Sequence, residues 1–209
     1  MNQDQIKQLN EAVEAVKTRK IENVYFVACG GSKAIFDPAQ FIFDRETTLP
    51  SFVYNANEFI HRCPKGLGEN SLVVTCSHSG NTLETTRATQ LAGDKGALTI
   101  SFSYRVDSPL WKATQHPISY VWGPESDPGD NNNGMLYRLV FSILNVLQPN
   151  EKYERAIKAC DNLGKVYAAN KAKFAESAKA FGKKYKNNKL IYTMPSGPCY
   201  GVAYSFAIC

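Results

Sequence analysis

SLVVTCSHSGNTLETTRATQLA, residues 71–92, decides how this chain folds. Its first six residues are a continuous run without the alternation of a half-exposed strand, and from residue 82 the apolar positions recur at helical spacing. A strand buried on both faces that hands over directly to a helix is the repeating unit of a parallel sheet covered on two sides. The same pattern recurs along the chain. NVYFVACGG supplies a buried strand over residues 24–29, broken by Gly30 and Gly31 and followed by a helix over 32–45. ALTISF is a third apolar run after the turn GDKG, SFVYN reads as a short strand, and ISYVW as a further one. Short helices are expected over 57–62 and 108–114. The fold class is therefore α/β, a doubly wound parallel sheet flanked by helices, over residues 21–148.

Residues 1–20 form a separate N-terminal helix, with Ile6, Leu9, Val13 and Val16 at helical spacing. A polar, turn-rich loop, GPESDPGDNNN (123–133), precedes the apolar helix GMLYRLVFSILNVL, which Pro149 and Asn150 stop. Residues 149–188 read as a helical linker. Its stretch 165–189 carries eight lysines and one acid, and with few aromatics and no arginine it reads as a solvated helix face rather than a nucleic-acid surface. KLIYTM then reads as another buried strand, Pro195-Ser196-Gly197-Pro198 as a loop, and CYGVAYSFAIC as an apolar helix without a terminator. Residues 189–209 are thus expected to start a second α/β unit that the chain leaves incomplete.

The 209 residues are 44% hydrophobic and 21% charged with a net charge of +5, ordinary values for a globular protein. No apolar run approaches the ~18 residues of a membrane span, and the polar N-terminus lacks a secretory pattern. The six cysteines (Cys29, Cys63, Cys76, Cys160, Cys199, Cys209) form neither a CxxC pair nor a Cys/His cluster. They read as reduced core residues of a cytoplasmic protein without a structural metal.

Two strand-to-helix junctions carry the chemistry: Gly30-Gly31-Ser32-Lys33 and the six residues Ser77-His78-Ser79-Gly80-Asn81-Thr82. In an open parallel sheet, ligands settle outside the carboxyl ends of the strands. A helix that begins there offers unpaired N–H groups and the positive end of its dipole to an anion. Thr82 or Asn81 could simply cap the helix, with Glu84 or Thr85 completing its start. One cap needs one hydroxyl, however, and four hydroxyl or amide side chains in six residues exceed that. Ser77, Ser79 and Thr82 can ring a phosphate without an arginine. A Gly-Gly pair alone is a weak signal, because tight strand–helix turns use it widely.

VACGGSKAIF together with TCSHSGNTLETTRA resembles the sugar isomerase (SIS) domain family, whose phosphosugar sites pair a small-residue loop with an S-x-S-G-x-T/S loop. YFVACGGS, the F-x-Y-N-x-x-E-F segment and IYTMPSGPCYGVAYSFAIC resemble the bacterial fructosamine-6-phosphate deglycases (fructoselysine and fructose-asparagine types). The resemblance implies an enzyme that splits a phosphorylated Amadori product into glucose 6-phosphate and a free amine. It works without cofactor or metal, as a homodimer or higher homo-oligomer, and has no nucleic-acid or membrane partner. It assigns Ser77, Ser79 and Thr82 to the phosphate, and Gly31 and Ser32 to the sugar. His78 either touches the sugar or is satisfied by local backbone. The Asn131–Asn133 run, with Asn133 as the sugar contact, falls near a segment that closes over the sugar in relatives, and Lys33 supplies charge or points to solvent. An aldose–ketose isomerase of the glucosamine-6-phosphate synthase type and a non-catalytic sugar-phosphate sensor share these loops and are the alternatives.

One departure from the family pattern matters. In these deglycases the general base is a glutamate on the helix after the second unit's first strand, and a histidine in a GEFxHGP motif follows it. Both positions are expected beyond Cys209, so the 209-residue chain alone is expected to be inactive. His61, His78 and His116 are poor substitutes, and Glu58 and Glu84 read as surface or capping residues.

Overall fold

The computed structural model describes residues 1–124 and 126–208; Glu125, inside the polar loop, and Cys209, the last of the cysteines, lie outside them. The three apolar runs are β1 (Asn23–Ala28), β3 (Ser71–Cys76) and β4 (Leu98–Ser103), and every residue of β3 and β4 is buried. With β2 (Ser51–Asn55) and β5 (His116–Ser119) they form a sheet of order β2-β1-β3-β4-β5, parallel at every pairing. The chain steps from β1 outward to β2, then returns past β1 to lay down β3 on its other side. The order therefore reverses between β1 and β3, where such sheets open a crevice for ligand.

Strand alternation sorts the side chains into two layers. Val24, Phe26, Leu72, Val74, Ile100 and Phe102 enter the larger core under α1 (Gln3–Lys17), α3 (Phe36–Glu46) and α7 (Asn132–Leu147). Phe26 sits 5.4 Å from Phe36 and 5.7 Å from Phe43 between ring centroids; full burial of each such ring is worth about 1.5–3 kcal/mol. Tyr25, Val27 and Val73 face the other way, beneath α4 (Ala56–Arg62) and α5 (Leu83–Asp94). On that side Thr75 is paired with Ser101 at 2.6 Å and with Thr89 at 3.0 Å, so the buried hydroxyls satisfy one another. The N-terminal helix joins the larger of these cores through Leu9, Ala12 and Val16.

Three elements differ from the sequence reading. The helix expected over 32–45 is two, α2 (Gly30–Ala34) and α3, separated at Ile35. Pro38 explains the break: it has no N–H to donate and is tolerated only in a first helical turn, which the restart at Phe36 provides. The strand read in ISYVW is shifted, since β5 ends at Ser119 and the next three residues leave the sheet, with Val121 donating to the Asp130 carbonyl at 3.0 Å. KLIYTM is not a strand. Its Leu190, Tyr192 and Met194 are 63%, 80% and 94% exposed, and no described strand lies beside it to pair its backbone.

Before that segment, α6 (Pro109–Ala113) is capped by Ser108, and the linker is α8 (Glu151–Cys160) and α9 (Leu163–Tyr185). After it, α10 (Tyr200–Ile208) returns against α2, where a Cβ on Gly201 would lie 2.1 Å from the Ala34 carbonyl oxygen. Cys76 and Cys160 are buried, Cys29 and Cys63 half-buried and Cys199 exposed, all five as free thiols. Among the described residues no helix is long and apolar enough to cross a membrane.

Candidate functional site

Strand register assembles the site. Ala28 of β1 lies opposite Cys76 of β3, so the loops that start at Cys29 and Ser77 leave the sheet side by side. Ser103 lies opposite Ser119, which likewise brings the exits of β4 and β5 together.

In the first loop Cys29 is the N-cap of α2 and makes no side-chain cap bond, while Gly30 takes a left-handed φ of +53° that favours glycine. In the second loop, Ser77 is 2% exposed and its hydroxyl lies 2.8 Å from that of Thr82. Ser79 Oγ accepts from the Asn81 amide at 3.2 Å. Gly80 has φ +66°, its amide donates to the Ser77 carbonyl, and its carbonyl accepts from Leu110. A Cβ on Gly80 would stand 2.0 Å from Ser108 Oγ. Thr82 occupies the N-cap position of α5 but makes no side-chain cap bond. Its hydroxyl is engaged with Ser77 instead, and among the described residues the first-turn amides of α5 have no side-chain acceptor.

The two loops are tied together. Thr85 Oγ1 donates to Cys29 Sγ at 3.9 Å. Burial pushes the Cys76 thiol up to about 12, and a hydrogen bond with Ser32 pulls weakly the other way. His78, itself exposed, is held from three directions. Its ring lies parallel to Tyr104 at 5.1 Å, edge-on to Trp122 at 5.2 Å, and its Nδ1 is 3.0 Å from the Tyr120 hydroxyl. Burial, and then the neighbouring Cys76, drive the Tyr120 phenol well above its ordinary range, so it stays neutral.

A cleft of about 530 Å³ opens over these loops, within the ~300–1,000 Å³ usual for small-molecule sites. All seven site residues named from the sequence line it: Gly31, Ser32, Ser77, His78, Ser79, Thr82 and Asn133. Cys29, Ile35, Asn132 and Ser205, which lie in stretches noted in the sequence but were not named as site residues, line it too, as does Trp122, which carried no motif signal. Asn131 caps α7 by accepting from the Gly134 amide at 3.0 Å, and Asn132 accepts from the Asn133 amide at 3.0 Å. No Lys, Arg, Asp or Glu is among the described lining residues. An anion placed here would meet hydroxyls, amides and a helix N-terminus rather than a fixed cation.

Other titratable groups stand elsewhere. Lys33 is 3.8 Å from the Asp37 carboxylate and 5.1 Å from the Tyr204 ring centroid, turned neither to the cleft nor to open solvent. Asp37 sits above its usual carboxylate range because burial outweighs that lysine. Glu58 pairs with Arg62 at 2.9 Å, Glu84 is exposed, and His116 opens β5 at the opposite end of the sheet.

Comparison with known proteins adds to this geometry. A family model described as the SIS domain matches residues 17–147. Fructosamine deglycase FrlB of Bacillus subtilis (strain 168) is 46% identical over 204 residues, covering 97% of this chain and 62% of that protein. Fructoselysine 6-phosphate deglycase of Escherichia coli (strain K12) is 26% identical over 200 residues, 94% of this chain and 57% of that protein. A Bacillus subtilis crystal structure described as a phosphosugar isomerase superimposes with a TM-score of 0.94 at 46% identity, covering 97% of this chain and 62% of that one. A Salmonella typhimurium structure of the same description gives a TM-score of 0.92 at 32% identity, over all of this chain and 64% of that one. The chain thus spans about three-fifths of the length of these relatives.

Proposed function

The chain belongs to the SIS domain family, and we propose that it is the phosphosugar-binding part of a fructosamine-6-phosphate deglycase. The observation that carries this reading is the cleft at the β1/β3 reversal, where two loops set side by side by register offer neutral donors beside an uncapped helix start. The 46% identity to a fructosamine deglycase over 97% of the chain supports this reaction over the others of the family.

In this reading the hydroxyls of Ser77, Ser79 and Thr82, with the first amides of α5, donate to the substrate phosphate. Gly31 lets the backbone approach the sugar, and Ser32, His78 and Asn133 contact its hydroxyls. The substrate is a 1-amino-1-deoxyfructose 6-phosphate. A base removes a proton from C1 while an acid protonates the C2 oxygen, giving an enaminol. Reprotonation at C2 gives the imine of glucose 6-phosphate; water adds at C1 and the amine departs. One water is consumed, and glucose 6-phosphate and a free amine are released. The cleft's described lining holds no carboxylate. The proton-transfer groups are therefore assigned to the remaining two-fifths of a protein of the relatives' length. Residues 189–208 would begin the second SIS unit there, and α8 and α9 would link the two in a homodimer or larger assembly.

A coupled glucose-6-phosphate dehydrogenase assay tests the reading. The full-length protein releases glucose 6-phosphate from a phosphorylated Amadori compound, and this chain alone does not. No product from adducts of several different amines refutes the activity.

A further inference from the structure

Tyr104 is the first residue after β4 and Tyr120 the first after β5, and the pairing of Ser103 with Ser119 sets the two side by side. The Tyr104 amide donates to the His78 carbonyl at 3.2 Å, which ties the loop of Ser77 to Thr82 to the same corner. The His78 ring lies at 2° to the Tyr104 ring and at 67° to the Trp122 ring. Stacked on one side and met edge-on from another, the imidazole is held in one orientation, with Nδ1 at the Tyr120 hydroxyl.

That contact has a direction. Tyr120 is 3% exposed, and among the described residues its hydroxyl has one hydrogen-bond partner, His78 Nδ1 at 3.0 Å. Burial keeps the phenol protonated. Buried O–H groups are paired in folded proteins, and a neutral imidazole has one N–H and one bare nitrogen. An N–H at Nδ1 would donate to the phenol oxygen and leave the phenol proton without an acceptor. The arrangement that pairs every group has the phenol donating to a bare Nδ1, which puts the imidazole proton on Nε2. His78 lines the cleft and Tyr120 does not.

Resting on the phosphosugar-binding reading, we propose that Tyr120 is a positioning residue: it holds His78 as its Nε2–H form, so that the ring donates to a sugar oxygen in the cleft. Without the phenol, Nδ1 has no partner inside the clamp. The ring then turns to water or moves its proton to Nδ1, and a bare Nε2 offers the sugar only a lone pair. Either way the fraction of protein ready to donate falls, and sugar binding weakens in proportion.

The test is calorimetric titration of the full-length protein with glucose 6-phosphate and with inorganic phosphate. Tyr120→Phe is expected to raise the Kd for glucose 6-phosphate about 3–10-fold, as for one neutral hydrogen bond, and to leave that for phosphate within about 2-fold. A double-mutant cycle separates positioning from a general structural loss. In His78→Gln the side-chain amide presents an N–H near the place of Nε2 and has no tautomer to fix. Tyr120→Phe in that background is expected to change the Kd for glucose 6-phosphate less than about 2-fold. An equal loss in both backgrounds, or no loss in the His78 background, overturns the proposal while leaving the phosphosugar reading standing. A wild type that binds neither ligand refutes that reading and the proposal with it.

Discussion

Thr82→Val separates a phosphate cradle from a helix cap. The substitution keeps the β-branched shape, which suits the extended φ of −66° and ψ of 108°, and deletes one hydroxyl. Were Thr82 a working cap, its loss would cost about 0.5–2 kcal/mol of stability. Here the side chain makes no cap bond; what disappears is the 2.8 Å contact with Ser77. Ser77 is 2% exposed, but Thr82 is half-buried and admits water to the gap, so the cost falls at the low end of the penalty for an unpaired group, about 1 kcal/mol. Binding is affected more. A hydrogen bond to a charged acceptor is worth about 1.5–3 kcal/mol, which is about 10–150-fold in Kd. Calorimetric titration with glucose 6-phosphate and with glucose reads the difference. The expected result is a weaker Kd for the phosphorylated sugar alone, restored by Thr82→Ser. A Kd changed less than about 2-fold, with stability down by a full cap's worth, would refute the cradle.

Gly80→Ala forces a left-handed residue, at about 1–2 kcal/mol, and crowds a methyl against Ser108, at about 1–3 kcal/mol. A urea midpoint lowered by the equivalent of about 2–5 kcal/mol is expected, and an unchanged midpoint contradicts the loop geometry. Tyr120→Phe removes the partner of His78 Nδ1 while the contacts with Tyr104 and Trp122 remain. The fold stays intact and the His78 ring nitrogens shift in 15N NMR; unshifted nitrogens would mean that the phenol does not set the tautomer. Cys76, raised by burial from about 9 to about 12, stays a thiol. Its native-state preference for the proton contributes stability in full below about pH 9 and loses it as pH climbs toward 12. At pH 8 iodoacetamide labels the exposed Cys199 and spares Cys76 in the native protein, as mass spectrometry checks; rapid labelling of Cys76 refutes the burial.

The sheet was legible because a parallel strand buried on both faces leaves a local signature, a short unbroken apolar run, as in SLVVTC. That Ser77, Ser79 and Thr82 share one cleft was legible for a similar reason, since these hydroxyls crowd into six consecutive residues. The aromatic clamp on His78 was not. It joins residues 78, 104, 120 and 122 through the register of β3, β4 and β5, which no local pattern encodes. Reading ISYVW as one strand hid Trp122, because Tyr120, Val121 and Trp122 are as suited to a strand as the residues before them. KLIYTM failed in the opposite sense: its composition fits a strand, but a strand needs a neighbour, and none is described beside it. Ser205 reaches the cleft only because α10 folds back on α2, where Gly201 meets Ala34, a residue more than 160 positions earlier.

A crystal structure of the full-length protein with a bound fructosamine 6-phosphate tests the central claim most directly. The account predicts phosphate oxygens within about 3.2 Å of the Ser77, Ser79 and Thr82 hydroxyls, with the sugar against Gly31, Ser32 and Asn133. A phosphate seated on the lysines of α9, with the cleft above β1 and β3 empty, would contradict it.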